Sequence, residues 1–498
     1  MIDTSAHRLL STLPDAPRLE SGSGIPSRTS GGVPVCDSRL ANENSLFVCI
    51  RGERFDGHHY ITQAYMTGCR CFLVEHLPEM PLPDDADVFL SDDTRRDLAL
   101  LSAAYFGRPA NALTIVGITG TKGKTTVALM CYHILTSAGI PAGYIGTCGV
   151  MYGDIHIATN NTTPGPLELQ YHLSNMRHAG VKTVLLEVSS QAIWQRRIHG
   201  ISFDAVALTN LFSDHIGQGE HPDFAHYAAC KKQLLTDFGA PFVLVNADDT
   251  NVSKLTKDIP AIRCGMHAPA AIQAIEVCSQ QKSGFPGMTF AYYDGTQSIP
   301  VFLPLPGEHN VSNALFALTL TAHLGIDVAT AALSLKDIRI PGRLETISIG
   351  EAMVVIDYAH NGGALRAALT SLRPYATHRL ICLVGSVGER TQCRRSEIGQ
   401  ATGELADFTY LTADDPGAEP VEDICREIAA AMPSYADYTI IPDRKDAILQ
   451  ALDSLQPGDV LLLAGKGDEQ FQKIGGKRLP HNDRAVVEGY LNPSTVLS

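Results

Sequence analysis

The chain is 498 residues long with a mass of 53.5 kDa, room for about three domains at the usual domain size. Hydrophobic residues make up 45% and charged residues 18%, which excludes intrinsic disorder over most of the length. A formal net charge of −14 argues against an electrostatic nucleic-acid binder, while leaving room for a local basic pocket that takes phosphates.

Residues 1–34 carry no interpretable pattern, and Met1–Glu20 lacks the apolar stretch of a secretory signal. The apolar runs Leu46–Ile50 and Cys71–Val74 read as strands, with a helix over Ile61–Thr67 between them, in a small α/β domain. The breaker cluster Gly107-Arg108-Pro109-Ala110-Asn111 ends it. Apolar strands then alternate with helices: strands at Thr114–Thr119, Thr183–Val188, Ala205–Thr209 and Phe242–Asn246, helices at Lys124–Ala138, Leu167–Ala179, Phe224–Leu235 and Val311–Leu324. This alternation predicts a parallel sheet covered by helices. After a second breaker, Pro341-Gly342-Arg343, the same grammar returns, with strands at Met353–Asp357, Leu380–Val384, Phe408–Leu411, Tyr438–Ile441 and Val460–Leu463. There Ile448, Leu452 and Leu455 fall at i, i+4 and i+7, one face of a helix. The expected class is α/β with three domains, 1–110, 111–340 and 341–498, the last an open, Rossmann-like doubly wound sheet. No apolar run reaches the roughly 18 residues of a membrane span, so a cytoplasmic location is expected. The twelve cysteines are scattered without a Cys-x-x-Cys pair and read as reduced thiols rather than a zinc site.

Gly120-Thr121-Lys122-Gly123-Lys124-Thr125-Thr126 follows an apolar strand and opens a helix. Backbone N–H groups in such a loop converge on phosphate oxygens, and the helix N-terminus favours negative charge. Lys124 would neutralise the β- and γ-phosphates of a nucleotide, and Thr125 would place its hydroxyl on Mg²⁺. The full Walker spacing asks for glycine at position 118, which is Ile118, so only the shorter G-x-x-G-K-[ST] form holds.

From this loop outward the sequence resembles the ATP-dependent Mur ligases of peptidoglycan synthesis, in particular their muramyl-tripeptide synthetase branch, from about residue 35 to residue 490. The resemblance implies an N-terminal domain that holds the UDP end of the substrate, a central ATPase domain and a C-terminal amino-acid domain. Asp37-Ser38-Arg39 and Phe55-Asp56-Gly57-His58 match the UDP region, with Ser38 the firmest carry-over and Glu53–Phe55 a weaker one. Asn161, Thr162, Thr163, Ser189, Gln195 and Arg197 match positions that contact the muramyl peptide. Glu187 and His215 match Mg²⁺ ligands, and Lys231, by its spacing from Tyr227, matches the lysine that CO₂ carbamylates. A carbamate is anionic and offers Mg²⁺ oxygen ligands, where a free ammonium would repel it. Asn310, Arg343, Asp357 and His360 match positions around the nucleotide. A monomer is implied as well.

Four polar clusters follow apolar strands in the last segment: Asp357–Asn361, Ser386–Arg390, Asp414–Gly417 and Gly465–Glu469. Ligands of open α/β sheets bind beyond the carboxyl ends of strands, so these clusters should line one edge. Arg390 is the candidate for an amino acid's α-carboxylate, and Asp414, Asp415 and Glu469 for a side-chain amine. Family members that add meso-diaminopimelate carry Asp-Asn-Pro-Arg at the third cluster, where this chain reads Asp414-Asp415-Pro416-Gly417. Loss of that arginine and gain of an acid favour a cationic side chain, L-lysine first and L-ornithine next. The reaction implied is amide formation on the D-Glu γ-carboxylate of UDP-MurNAc-L-Ala-D-Glu through an acyl phosphate. The same reaction with ornithine or meso-diaminopimelate, or a Mur-like ligase acting on a different acid, stays open at this stage.

Overall fold

The computed structural model describes residues 5–22, 32–52, 55–78, 82–214, 216–217, 220–282, 284–389 and 393–492. His215, Arg390, Glu53 and Arg54 lie outside the described residues. The chain divides into two compact units, Met1–Ile272 with Phe316–Ile326, and Gln273–Leu315 with Asp327–Ser498.

The first unit holds two sheets. The smaller runs in the order Arg18–Ser21, Asp87–Leu90, Cys71–Val74, Ser45–Val48, Val33–Val35, parallel except for the antiparallel Arg18–Ser21 edge. Leu98 and Leu101 of the helix Thr94–Tyr105 seal it against Leu46, Val48 and Leu73. The larger sheet places six parallel strands in the order Ile262–Gly265, Phe242–Asn246, Ala205–Leu208, Thr114–Thr119, Thr183–Glu187, Ala142–Gly146. Both faces of its central strands are buried, which is why they read as continuous apolar runs. On one face, Ile115, Val184, Leu186, Val206 and Leu208 pack against Leu169, Leu173 and Met176 of the helix Pro166–His178 and Tyr227 and Leu234 of the helix Phe224–Thr236. The helix Lys124–Ser137 lies over the strands Thr183–Glu187 and Ala142–Gly146.

The second unit carries a six-stranded sheet in the order Glu345–Ile349, Ala352–Asp357, Val460–Ala464, Leu380–Val384, Phe408–Leu411, Tyr438–Ile440. All are parallel except the antiparallel edge strand Glu345–Ile349. Asp357 pairs in register with Ala464, Leu463 with Leu383, and Val384 with Leu411, so the clusters that follow these strands emerge at one edge, as expected.

The structure adds several elements that the sequence reading lacks, among them the parallel strands Ala142–Gly146 and Ile262–Gly265 and the helix Thr94–Tyr105. Antiparallel strands at Gly149–Tyr152 and Ile155–Ile157, and at Ile272–Lys282, Phe285–Tyr293 and Ser298–Leu303, also escaped that reading. Every residue of Ile155–Ile157 is exposed, so no burial pattern marks it, and Ile272–Lys282 ends in the polar run Ser279-Gln280-Gln281-Lys282. The helix carrying Ile448 and Leu452 spans Arg444–Asp453 and stops before Leu455. Leu455 still packs on the same core, because its N–H donates to the Leu452 carbonyl (3.2 Å) in a closing turn.

Candidate functional site

The loop Gly120–Gly123 joins the central strand Thr114–Thr119 to the helix Lys124–Ser137, as the glycine spacing predicts. Gly120 sits at φ +150°, and a Cβ there would stand 1.9 Å from Thr209 Oγ1, so the neighbouring strand end leaves no room for a side chain. Residues at that end pin the loop: Thr209 Oγ1 donates to the Lys122 carbonyl (2.6 Å), Lys122 N–H to Asn210 Oδ1 (2.8 Å), and Thr121 N–H to the Asn210 carbonyl (3.0 Å). Tyr227 Oη–H donates to Thr121 Oγ1 (3.0 Å) from the helix Phe224–Thr236. Lys122 pairs with Asp214 (3.0 Å), and Lys124 Nζ donates back to the Gly120 (3.0 Å) and Thr121 (3.2 Å) carbonyls. Thr126 is buried in the first turn. The helix N-terminus, whose leading N–H groups lack intrahelical acceptors, thus opens beside a rigid loop suited to phosphate.

Glu187 ends the adjacent parallel strand, in register with Ile118, and is fully buried. Thr125 Oγ1 donates to its Oε2 (2.9 Å), Thr147 N–H to its Oε1 (3.0 Å) and Thr147 Oγ1 to its Oε2 (3.3 Å), while Tyr144 Oη–H also donates to Oε1. These oxygens, a carboxylate beside a threonine hydroxyl, suit a hard cation such as Mg²⁺. The sequence reading missed Tyr144 and Thr147, since nothing in their spacing links them to a strand some 40 residues on. Lys231 is buried, and its Nζ donates to the Gly120 carbonyl (2.9 Å), the same oxygen that Lys124 Nζ meets. Burial there, reinforced by the Lys124 charge, drives the Lys231 amine well below the ordinary lysine pKa.

Four of the residues matched to the muramyl peptide meet next to Glu187. Thr163 Oγ1 donates to the Glu187 carbonyl (2.8 Å) and accepts from Ser189 N–H (3.0 Å). Ser189 caps the short helix Ser190–Trp194, with its Oγ accepting from Ala192 N–H (3.2 Å). Arg197 donates to the Thr163 carbonyl (2.8 Å) and, through Nε and Nη2, to Gln195 Oε1 (3.0 and 2.6 Å). Thr162 Oγ1 lies 3.0 Å from Thr147 Oγ1, and the Asn161 carbonyl accepts from Thr159 Oγ1 (3.1 Å). Ser38 stands apart in the smaller sheet's surroundings, buried, with its Oγ donating to Gln63 Oε1 (3.1 Å).

In the second unit, Asn310 lies in the first turn of the helix Glu308–His323 and donates to the Pro306 carbonyl (2.9 Å). The Arg343 guanidinium rests 4.8 Å from the Tyr358 ring centroid, and His360 Nδ1 lies 2.8 Å from the Tyr358 carbonyl. Asp357 accepts from Leu344 N–H (2.8 Å) and Ala359 N–H (2.9 Å), a local clamp; burial pushes its carboxyl above the ordinary range, against the pull of Arg343.

Asp414, Asp415 and Glu469 converge on Lys466, which is fully buried: its Nζ lies 2.8 Å from Asp415 Oδ1, 2.5 Å from Glu469 Oε2 and 3.8 Å from Asp414 Oδ1. Tyr358 Oη–H donates to the other Glu469 oxygen (3.0 Å), and Gly465, at φ +108°, adjoins Asp414. The sequence assigns Lys466 no role, because only folding brings the Asp415 turn to it. Its charge offsets one of three carboxylates and leaves the cluster net negative. Burial raises the Asp414 pKa to about 6, against the opposing pull of Arg444 and Lys466. Beside the cluster, Glu389, Gly417, Ala418, Lys473, Gly476 and Arg478 line a pocket of about 450 Å³.

Among the described residues, no helix is long and apolar enough to cross a membrane. A profile of the Mur ligase middle domain matches residues 118–321, and one of the Mur ligase, glutamate ligase domain matches residues 342–467. A UDP-N-acetylmuramoyl-L-alanyl-D-glutamate--2,6-diaminopimelate ligase of Chlorobaculum tepidum is 36% identical over 470 residues, spanning 91% of this chain and 91% of its own. Its namesake from Geobacillus kaustophilus is 34% identical over 464 residues, spanning 91% of this chain and 93% of its own. A solved structure of a UDP-N-acetylmuramoyl-L-alanyl-D-glutamate--2,6-diaminopimelate ligase shares the fold with a TM-score of 0.68 at 24% identity, covering 94% of this chain and 95% of that one. With phosphate loop, sheet order and both profile matches in agreement, the chain belongs to the Mur ligase family of ATP-dependent ligases.

Proposed function

We propose that this enzyme joins a diamino acid to the D-Glu γ-carboxylate of UDP-MurNAc-L-Ala-D-Glu, at the expense of ATP, in cytoplasmic peptidoglycan precursor synthesis. The observation that carries the reading is the gathering of Lys124, Thr125, Glu187 and Lys231 around one phosphate loop, in a family whose relatives are named for that acceptor. The domains 1–110, 111–340 and 341–498 take the UDP-sugar, the ATP and the amino acid in turn. Ser38 holds the UDP end; Asn161, Thr162, Thr163, Ser189, Gln195 and Arg197 hold the muramyl peptide. Gly120–Thr126 cradle the phosphates, and Asn310, Arg343, Asp357 and His360 keep the nucleotide role that the resemblance implies.

The γ-carboxylate attacks the γ-phosphorus, the bond to the bridging oxygen breaks, and ADP leaves. Lys124 offsets the charge that develops on the transferring group. Mg²⁺ bound by Thr125, Glu187, His215 and carbamylated Lys231 would supply further neutralisation of the phosphate oxygens. The neutral α-amine then attacks the acyl carbon, and the tetrahedral intermediate collapses with loss of phosphate and of the amine proton.

For the amino acid, Arg390 is assigned the α-carboxylate, and Asp414, Asp415 and Glu469 the distal amine, with Gly465 leaving space beside Asp414. The residual negative charge around Lys466 supports L-lysine, with ornithine next. One observation favours meso-diaminopimelate instead: Lys473 and Arg478 flank the pocket at Gly417, where they offer a distal carboxylate two cations in place of the missing arginine. Phosphate release and product mass with each of the three amino acids decide between them. Turnover with lysine or ornithine alone sustains the first reading, and preference for diaminopimelate sinks it. No turnover with any of the three points to a different acceptor acid.

If Asp414 holds the distal amine as a carboxylate, KM for the amino acid rises as pH falls through about 6, while KM for ATP stays level. Asp414→Asn is expected to raise that KM at every pH and flatten the profile. A wild-type KM unchanged between pH 5 and 7 would remove Asp414 from this role.

A further inference from the structure

We infer that His221, His226 and Cys230 form a binding site for a borderline-soft divalent cation of the zinc type, separate from the oxygen ligands around Glu187. The helix Phe224–Thr236 presents His226 and Cys230 one turn apart, and His221 joins them from the segment before it. His226 Nδ1 is the pivot, 2.8 Å from His221 Nδ1 and 3.9 Å from Cys230 Sγ, and the three ligand atoms lie within 4.8 Å of one another. Around a tetrahedral zinc, at bond lengths of about 2.0–2.1 Å to nitrogen and 2.3 Å to sulfur, such atoms stand roughly 3.3–3.6 Å apart. Admitting the ion therefore opens the His221–His226 contact by about 0.5 Å and closes the widest pair by at most about 1.2 Å, movements within the reach of side-chain rotation.

The surroundings are those of a ligand set. His221 Nε2 lies 2.8 Å from Ser190 Oγ, the outer hydrogen bond that fixes a ligating imidazole's tautomer and leaves Nδ1 to the metal. His221 is fully buried and Cys230 nearly so, whereas His226 is half-buried, which leaves its side open for water as the fourth ligand. Two imidazoles and a thiolate select zinc over magnesium. A second group, Asp56, His58 and His76, fails the same test: His58 Nδ1 lies 2.6 Å from Asp56 Oδ1 and Nε2 accepts from Glu75 N–H (3.0 Å), so the ring keeps no lone pair for a cation.

On binding, the Cys230 thiol loses its proton to solvent as the S–metal bond forms. His226 moves its ring proton from Nδ1 to Nε2 and stays neutral. The net change is one proton released per ion. His226 and Cys230 each precede a residue turned to the phosphate loop, Tyr227 and Lys231, and the His221 ring touches Tyr227 (centroids 5.3 Å), so the ion would brace the helix that carries both.

The chain's single tryptophan, Trp194, reports on the site directly, with its ring centroid 5.3 Å from His221 and 5.2 Å from His226. Co²⁺ is titrated into the purified full-length protein under excess Mg²⁺. The expected result is quenching of Trp194 fluorescence and a thiolate-to-cobalt charge-transfer band, both saturating at one ion per chain and both reversed by Zn²⁺. Cys230→Ser is expected to abolish the band, and His226→Gln, at a half-buried position that tolerates a polar side chain, to weaken binding about tenfold or more. Absence of band and quenching in the unaltered protein, or their persistence at full affinity in His226→Gln or Cys230→Ser, overturns the assignment.

Discussion

Replacing Lys231 with alanine or arginine is expected to lower kcat by about 10³-fold, the scale of removing one preorganised electrostatic group from a phosphoryl-transfer site. Lys231 is buried, with its Nζ on the Gly120 carbonyl and the Lys124 charge nearby. Desolvation and that like charge both favour the neutral amine, the form that attacks CO₂. Attack would form the N–C bond of a carbamate and release one proton, turning a neutral amine into an anion that can ligate Mg²⁺. Arginine restores charge and bulk but cannot form this carbamate, so it separates the two explanations. The sign with pH follows: as pH falls through the lowered lysine pKa the ammonium returns, CO₂ is not captured, and activity falls on the acid side. Two readouts check this. Activity of the unaltered protein should fall in CO₂-depleted buffer and return with bicarbonate, and ¹³C-bicarbonate should give a carbamate resonance that Lys231→Ala lacks. A Lys231→Arg enzyme within threefold of the unaltered rate would end the argument.

Asp483→Ala is expected to destabilise the second unit by about 3–5 kcal/mol, the cost of leaving a buried charge without its partner. Arg444 and Asp483 are both fully buried and paired through two bonds, Nε to Oδ1 at 2.8 Å and Nη2 to Oδ2 at 2.6 Å. The guanidinium also donates to the Ala413 (3.2 Å) and Ala464 (2.9 Å) carbonyls. Those residues immediately precede Asp414 and Gly465, so the pair ties together the two strand ends that carry the acidic cluster around Lys466. Burial alone would raise the Asp483 pKa, but Arg444 and then His481 outweigh it and hold the carboxyl below the ordinary range. A depressed carboxylate pKa contributes stability that is fully present above the unfolded value of about 3.9 and is lost as pH falls through the folded one. The pair should therefore hold across the neutral range and fail only in strong acid. Hydrogen exchange of the Val460–Ala464 amides under increasing denaturant measures the effect. Protection in Asp483→Ala within about 1 kcal/mol of the unaltered protein would contradict it.

Local sequence was legible where one short segment contains the whole signal. The strand Thr114–Thr119 and the helix starting at Lys124 are bounded by glycines that bend the chain, and the apolar runs around them are buried on both faces. The same holds for the parallel strands Leu380–Val384 and Phe408–Leu411, whose boundaries the sequence reading matches. It failed at exposed antiparallel strands such as Ile155–Ile157, where no buried face imposes a pattern.

What the sequence by itself determined about this protein is its class, the phosphate loop and the order of its polar clusters, because these rest on periodicity and on residues adjacent in the chain. Only the tertiary structure decided which side chains share a site. Tyr144 reaches Glu187 and Lys466 reaches Asp415 across gaps in sequence that neighbouring parallel strands close, and Lys231 reaches Gly120 from a helix packed on the sheet. The charge left around Lys466, and the meeting of His221 with His226 and Cys230, likewise follow from packing. Burial and distance set these electrostatic relations, and neither is a property of composition or spacing.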